Sequence, residues 1–154
     1  MKRKTKRLIL FGCLTLAMML VIFLFSAQDG TESSSLSAWF AQSAFGRFLL
    51  RILPPLSDQG MDHDLRKYAH MAEYALLAMP AFGFFRELLG KKPRWPAFLT
   101  GLLFCFLYAC TDEYHQLFVS GRAGQFSDVL IDMAGVVFGL TAACALSFLR
   151  KESS

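Results

Sequence analysis

Thr111-Asp-Glu-Tyr-His-Gln-Leu-Phe-Val-Ser-Gly-Arg-Ala-Gly-Gln-Phe-Ser-Asp-Val-Leu-Ile-Asp132 is the stretch on which the reading of this chain turns. Asp112, Glu113, His115, Arg122 and Asp128 stand here between two strongly apolar runs, about 95–111 and 129–149, and a fourth carboxylate, Asp132, lies just inside the second. Apolar runs of that length suit a bilayer, and ionisable groups at bilayer depth are costly enough to point to function. The stretch predicts a membrane protein with a polar cluster at one face.

Two further apolar segments lie upstream. Leu8 to Phe25 runs for 18 residues without a charge, which is about 27 Å of helix at 1.5 Å per residue. Tyr68 to Phe85 is apolar apart from His70 and Glu73 and contains Pro80. Four transmembrane helices are therefore predicted, at about 8–25, 68–85, 95–111 and 129–149, within one domain spanning 1–154. The first is read as an uncleaved span. Its apolar run is long for a signal sequence, and bulky Phe25 precedes the small pair Ser26-Ala27 where cleavage wants a small side chain.

Charge sets the orientation. Eleven Lys and Arg lie in the N-terminus, the 86–94 connection and the C-terminus, against five in the other connections. Both termini are then cytoplasmic and the protein is a multi-pass protein of the cell membrane, with 26–66 and 112–127 facing outward. The first outward connection is too long for a turn. Asp29-Gly-Thr-Glu-Ser-Ser-Ser35 reads as loop and helix cap. Apolar residues then recur from Leu36 to Leu53 around Arg47 and Arg51 until Pro54-Pro55 stops the run. This predicts an additional interfacial or re-entrant helix, or one that only covers the bundle.

Composition agrees. The hydrophobic fraction is 55%, with 16 Phe among 154 residues, and mean hydropathy is +0.41. That exceeds the usual share for a water-soluble chain. The net charge of +4 sits at the ends of apolar runs and not in a patch with interleaved aromatics, which argues against nucleic acid as a partner. Cys13, Cys105, Cys110 and Cys144 lie inside apolar segments with no CxxC pair, so neither a disulfide framework nor a zinc site is expected.

All four spans deliver polar groups to the same leaflet. The first ends in Ser26 and Gln28. The second begins with Lys67, His70, Glu73 and Tyr74, of which Lys67, His70 and Tyr74 share one helical face. The third ends in Asp112, Glu113, His115 and Gln116. Arg122 lies in the loop, and the fourth begins with Gln125, Asp128 and Asp132, continuing on the same face to Gly135 and Gly139. The candidate site is the set Ser26, Gln28, Lys67, His70, Glu73, Tyr74, Asp112, Glu113, Gln116, Arg122, Asp128 and Asp132. Arg122 is placed to hold the flanking carboxylates bidentately. Plainer explanations compete: Arg66 and Lys67 as interfacial snorkelers, Gly135 and Gly139 as a helix-contact pair, and the charges as a network that only locks helices together.

Phe25-Ser-Ala-Gln28, Lys67-Tyr-Ala-His-Met-Ala-Glu-Tyr-Ala-Leu-Leu77, Asp112-Glu-Tyr-His-Gln116, Gly121-Arg122, and Asp128 and Asp132 before Gly135 together resemble the VanZ-like family. These are small bacterial membrane proteins named for an accessory protein associated with reduced teicoplanin susceptibility. The resemblance covers nearly the whole chain and implies a cell-envelope context without implying a reaction. Many members have Pro before the Gly-Arg pair where this chain has Ser120.

Two functions fit. An accessory protein would bind an outward-facing amphiphile, such as a glycopeptide or lipopeptide antibiotic or a lipid-linked wall precursor. An enzyme would modify a lipid or wall intermediate, using Asp112, Glu113, Asp128, Asp132 and His70 for acid–base chemistry or to hold Mg²⁺ or Ca²⁺. Neither a catalytic residue nor a cofactor is assigned from the sequence, and the oligomeric state is left open.

Overall fold

The computed structural model describes residues 3–29, 35, 39, 42–56, 60–90 and 93–152. Among these the regular elements are all helical: α1 (Arg3–Ser26), α2 (Ala44–Ile52), α3 (Met61–Leu89), α4 (Arg94–Gln116) and α5 (Phe126–Glu152). Three of them, α1, α4 and α5, are long and apolar enough to cross a membrane. Leu16 and Leu20 on α1, Leu103 and Leu107 on α4, and Phe138 and Phe148 on α5 are exposed. A surface so rich in large apolar side chains fits acyl chains better than water. These features are consistent with a multi-pass membrane protein.

The longest helix, α3, has 29 residues but is not among the three apolar enough to span by composition. Its position explains its polarity. It packs against α1, α4 and α5, so its neighbours cover it. Tyr74, Leu77, Ala78, Ala81 and Phe82 of α3 form the middle of the core, with Ile22 from α1, Cys105 and Ala109 from α4, and Val129, Val136 and Leu140 from α5.

The polar pins give the helix directions. Arg7 near the start of α1 meets Glu87 near the end of α3 at 3.4 Å. Lys67 near the start of α3 meets Asp128 near the start of α5 at 2.6 Å. Near the end of α1, Ser26 meets Asp112 near the end of α4. Thus α1 and α4 run one way, and α3 and α5 the other. At the end opposite the polar cluster, Arg94 Nε donates to Ser147 Oγ at 2.7 Å while its guanidinium lies 3.6 Å over the Phe148 ring.

The parallel pair α3 and α5 approaches backbone to backbone. A Cβ on Gly135 would fall 2.0 Å from the Met71 carbonyl oxygen, and one on Gly139 would fall 2.1 Å from that of Ala75. The two glycines, four apart, make the contact possible. All four cysteines are free.

Of the helix expected from Leu36 to Leu53, Ala44–Ile52 forms α2, and Trp39 and Gln42 before it are also helical. Ser43 is a bend, and its hydroxyl accepts the Gly46 N–H at 2.9 Å, so it caps α2. Residues 30–34, 36–38, 40 and 41 lie outside the described residues, and with them most of the cap expected at 29–35. Phe48 and Ile52 of α2 are exposed. The connection returns through Pro54, whose carbonyl accepts the Tyr68 hydroxyl at 2.6 Å.

Candidate functional site

Helical spacing stacks Lys67, His70 and Tyr74 along one face of α3, and that face turns inward: Tyr74 is fully buried. Lys67 Nζ donates to Asp128 Oδ1, which joins the N-terminal turns of α3 and α5. Beside this pair lies a cavity of about 220 Å³. Arg66, Lys67 and Arg122 bring positive charge to its wall, Glu113, Asp128 and Asp132 negative charge, with His63, His70, Gln116 and Gln125 between them.

A second polar layer lies behind that wall. Ser26 Oγ donates to Asp112 Oδ2 at 2.8 Å. Gln116 Nε2 reaches both Asp112 Oδ2 and Glu113 Oε1 at 3.3 Å, and Glu113 Oε2 accepts the Gln125 N–H at 2.9 Å. Glu113 is thus shared between the end of α4 and the entry to α5. Tyr108, one turn before Asp112, donates to the Met19 carbonyl of α1 at 2.6 Å.

Among the described residues, several buried atoms around the cavity have no hydrogen-bond partner. They are Asp132 Oδ1 and Oδ2, Asp112 Oδ1, Glu73 Oε2, Tyr74 Oη, His70 Nδ1, His115 Nδ1 and Arg66 Nε. Asp132 is the extreme case, with a side chain 1% exposed and both carboxylate oxygens unsatisfied. Buried polar groups are ordinarily paired, and each exception calls for an explanation. His70 Nδ1 faces Glu73 Oε2 at 3.6 Å, which is too long for a hydrogen bond.

The loop between α4 and α5 corrects one expectation. Gly121 has φ +71°, which lets the chain reverse after α4. Gly124 comes so close to Glu113 that a Cβ would fall 2.3 Å from the Glu113 carbonyl oxygen. Between them Arg122 reaches back to α1 and not to the carboxylates: Nη2 donates to the Phe25 carbonyl at 3.0 Å and Nε to the Gln28 carbonyl at 3.2 Å. These oxygens belong to the last turn of α1 and the residues just beyond it, where carbonyls run short of intrahelical partners, although the Phe25 carbonyl also accepts the Gln28 N–H at 3.3 Å. Among the described residues no carboxylate pairs with Arg122. The carboxylates act on it at longer range: burial, and then the Arg66 charge, draw its pKa below the ordinary guanidinium value, while Asp112, Glu113 and Glu73 oppose that shift.

The expected residues therefore separate into groups. Lys67, His70, Glu113, Gln116, Arg122, Asp128 and Asp132 line the cavity. Ser26, Glu73, Tyr74 and Asp112 are not on its wall. Gln28 contributes its backbone carbonyl. His63 and Arg66 also line the cavity. In the sequence Arg66 looks like a snorkeler, and His63 carries no motif. The place of His63 one turn before Lys67 on the same helix is the available signal. Among the described residues no three His, Cys, Asp or Glu side chains are grouped to hold a metal. The cavity can bind groups of either sign, and its carboxylates and imidazoles can accept or donate protons.

The VanZ/LLP1 family matches residues 11–148 of this chain, and the chain belongs to it. No curated protein and no solved structure matches it.

Proposed function

We propose, from that membership, that this chain is an accessory protein of the bacterial cell membrane that binds an outward-facing amphiphile and lowers glycopeptide susceptibility. The ligand would be a glycopeptide or lipopeptide antibiotic or a lipid-linked wall precursor. In this reading α3 is a fourth span, sheltered by the other three, α2 lies at the interface, and both termini are cytoplasmic. One observation carries the binding role. The cavity has both signs of charge on its wall, and the apolar side chains of Leu117, Phe126 and Leu130, close to its lining residues in sequence, are exposed, which suits a molecule with a polar head and an apolar tail.

The test is deletion and re-expression in the source bacterium, with teicoplanin susceptibility as the readout. Deletion should raise susceptibility, re-expression should restore it, and mass spectrometry should find antibiotic and wall precursor unmodified. Unchanged susceptibility would sink the resistance role. Reporter fusions at Ser120 and after Ser154 should read exterior and cytoplasm. A cytoplasmic signal at Ser120 would invert the topology.

A second reading, a membrane-embedded enzyme acting on a lipid or wall intermediate, draws support from Asp132. Its unpartnered carboxylate shares the cavity wall with Glu113 and His70, and these are general acid–base groups. A modified lipid or precursor that depends on Asp132 would favour this reading.

A further inference from the structure

The charges around the cavity do not all cancel one another. Lys67 and Asp128 satisfy each other. Glu113 is held by Gln116 and by the Gln125 amide. Arg122 turns two donors toward α1, but a guanidinium has five. Arg66 keeps a buried, unpartnered Nε, and its charge acts repulsively on Arg122. Two like-charged guanidinium groups on one cavity wall, with no carboxylate among the described residues bonded to Arg122, are an arrangement that an anion completes. On the same wall Asp132 has the opposite need: a carboxylate 1% exposed with neither oxygen satisfied calls for several N–H donors or a positive charge.

We infer that the cavity takes a zwitterionic phosphate head group, with the phosphate against Arg66 and Arg122 and a primary ammonium against Asp132. This rests on the amphiphile-binding reading and names the head-group chemistry. A phosphate offers several acceptor oxygens to two guanidinium groups, which a single carboxylate matches less well. A primary ammonium brings three N–H donors to the two open oxygens of Asp132, whereas a trimethylated ammonium brings none. Size agrees: 220 Å³ is room for roughly seven waters at about 30 Å³ each, the scale of a phosphate joined to a two-carbon amine. The head group can come from a membrane lipid or from a soluble phosphoamine.

The experiment places the full chain in nanodiscs of phosphatidylethanolamine, phosphatidylcholine or phosphatidylglycerol. Labelling of Ala123→Cys by a hydrophilic maleimide is followed, since Ala123 is exposed on the cavity rim. The unsubstituted chain supplies the background from its own cysteines. Labelling should be about tenfold slower in phosphatidylethanolamine than in the other two lipids, the effect of roughly one charge-assisted hydrogen bond. Adding Asp132→Asn should erase that difference. Arg66→Gln should speed labelling in phosphatidylethanolamine, and Arg66→Lys should restore part of the protection. The lipid comparison with Asp132 intact alters only Ala123, which is exposed.

Protection by soluble O-phosphoethanolamine in phosphatidylcholine nanodiscs, with none from phosphatidylethanolamine itself, would support the head-group chemistry and assign it to a soluble source. Equal labelling in all three lipids, with no effect of O-phosphoethanolamine, overturns the inference. If a glycopeptide or a lipid-linked wall precursor still slows labelling of Ala123→Cys in that case, the amphiphile reading stands without it. If nothing protects, both fall.

Discussion

Ser26, the last residue of α1, donates its hydroxyl to Asp112 near the end of α4 across 2.8 Å, and both side chains are buried. Direct packing between α1 and α4 is slight, so this bond and the Tyr108 hydroxyl on the Met19 carbonyl tie the two helices where few apolar contacts do. Ser26→Ala should therefore destabilise the bundle by about 1–3 kcal/mol, the cost of leaving a buried acceptor short of a donor. Asp112→Asn keeps an acceptor for Ser26 and should cost less. Thermal unfolding in detergent measures both, and an unchanged midpoint in Ser26→Ala would count against the bond.

Arg122 should behave as a cap of α1. Arg122→Ala removes both donors to the Phe25 and Gln28 carbonyls, and the end of α1 should fray. Hydrogen exchange at the Ala27 and Gln28 amides, which close the last turn onto Phe23 and Phe25, should accelerate about tenfold for a loss of about 1.4 kcal/mol. Lysine can reach only one carbonyl at a time, so Arg122→Lys should restore part of the protection. Unaltered exchange in Arg122→Ala would leave the cap without support.

At Gly135 and Gly139 the obstacle is backbone, which cannot rotate away. Gly135→Ala should lower folded yield and cost at least the roughly 1–3 kcal/mol typical of overpacking. Gly12→Ala is the control, because its Cβ would meet the Phe84 ring at an ordinary 3.4 Å. Equal yields for the two variants would mean that α3 and α5 are not so close.

His63 should make binding depend on pH. Burial comes first, then the Lys67 and Arg66 charges, in lowering its pKa below 6.5, with Asp128 and Asp64 opposing. The folded group therefore resists protonation, and its contribution to the unliganded protein falls as pH drops below 6.5. An anion in the cavity reverses the sign, because it favours the imidazolium. Affinity for a phosphate head group should rise as pH is lowered from about 7 to about 5, and His63→Gln should flatten the profile. A profile identical in His63→Gln would remove this residue from the response.

The sequence revealed much of this because polar residues inside apolar runs are rare enough to be noticed. Lys67, Asp128 and Asp132 stood out for that reason, and helical spacing was enough to turn Lys67, His70 and Tyr74 inward. Arg122 was equally visible, but its partners were not. Backbone carbonyls at a helix end leave no mark in composition, while four nearby carboxylates do. The division between cavity wall and interior was hidden as well. Asp112 and Glu113 are adjacent in sequence, yet only Glu113 reaches the cavity, and the rotation that separates them is set by how α4 sits on its neighbours. The stretch 68–85 was legible as a span, but not that α3 is the helix against which α1, α4 and α5 all pack.

The close approach of α3 and α5 bears on timing as well as strength. Met71 and Ala75 carbonyls lie where the Cβ atoms of Gly135 and Gly139 would be, so the glycine Cα–H groups themselves face those oxygens as weak donors. Asp132 is one turn before Gly135 on α5, and His70 immediately precedes Met71 on α3. The wall that carries both is therefore in place before any guest arrives, and the entropy of ordering it has already been met in folding. Adjustment to a guest is left to the 117–125 loop, which brings Gly121, Arg122, Ala123 and Gln125 to the wall.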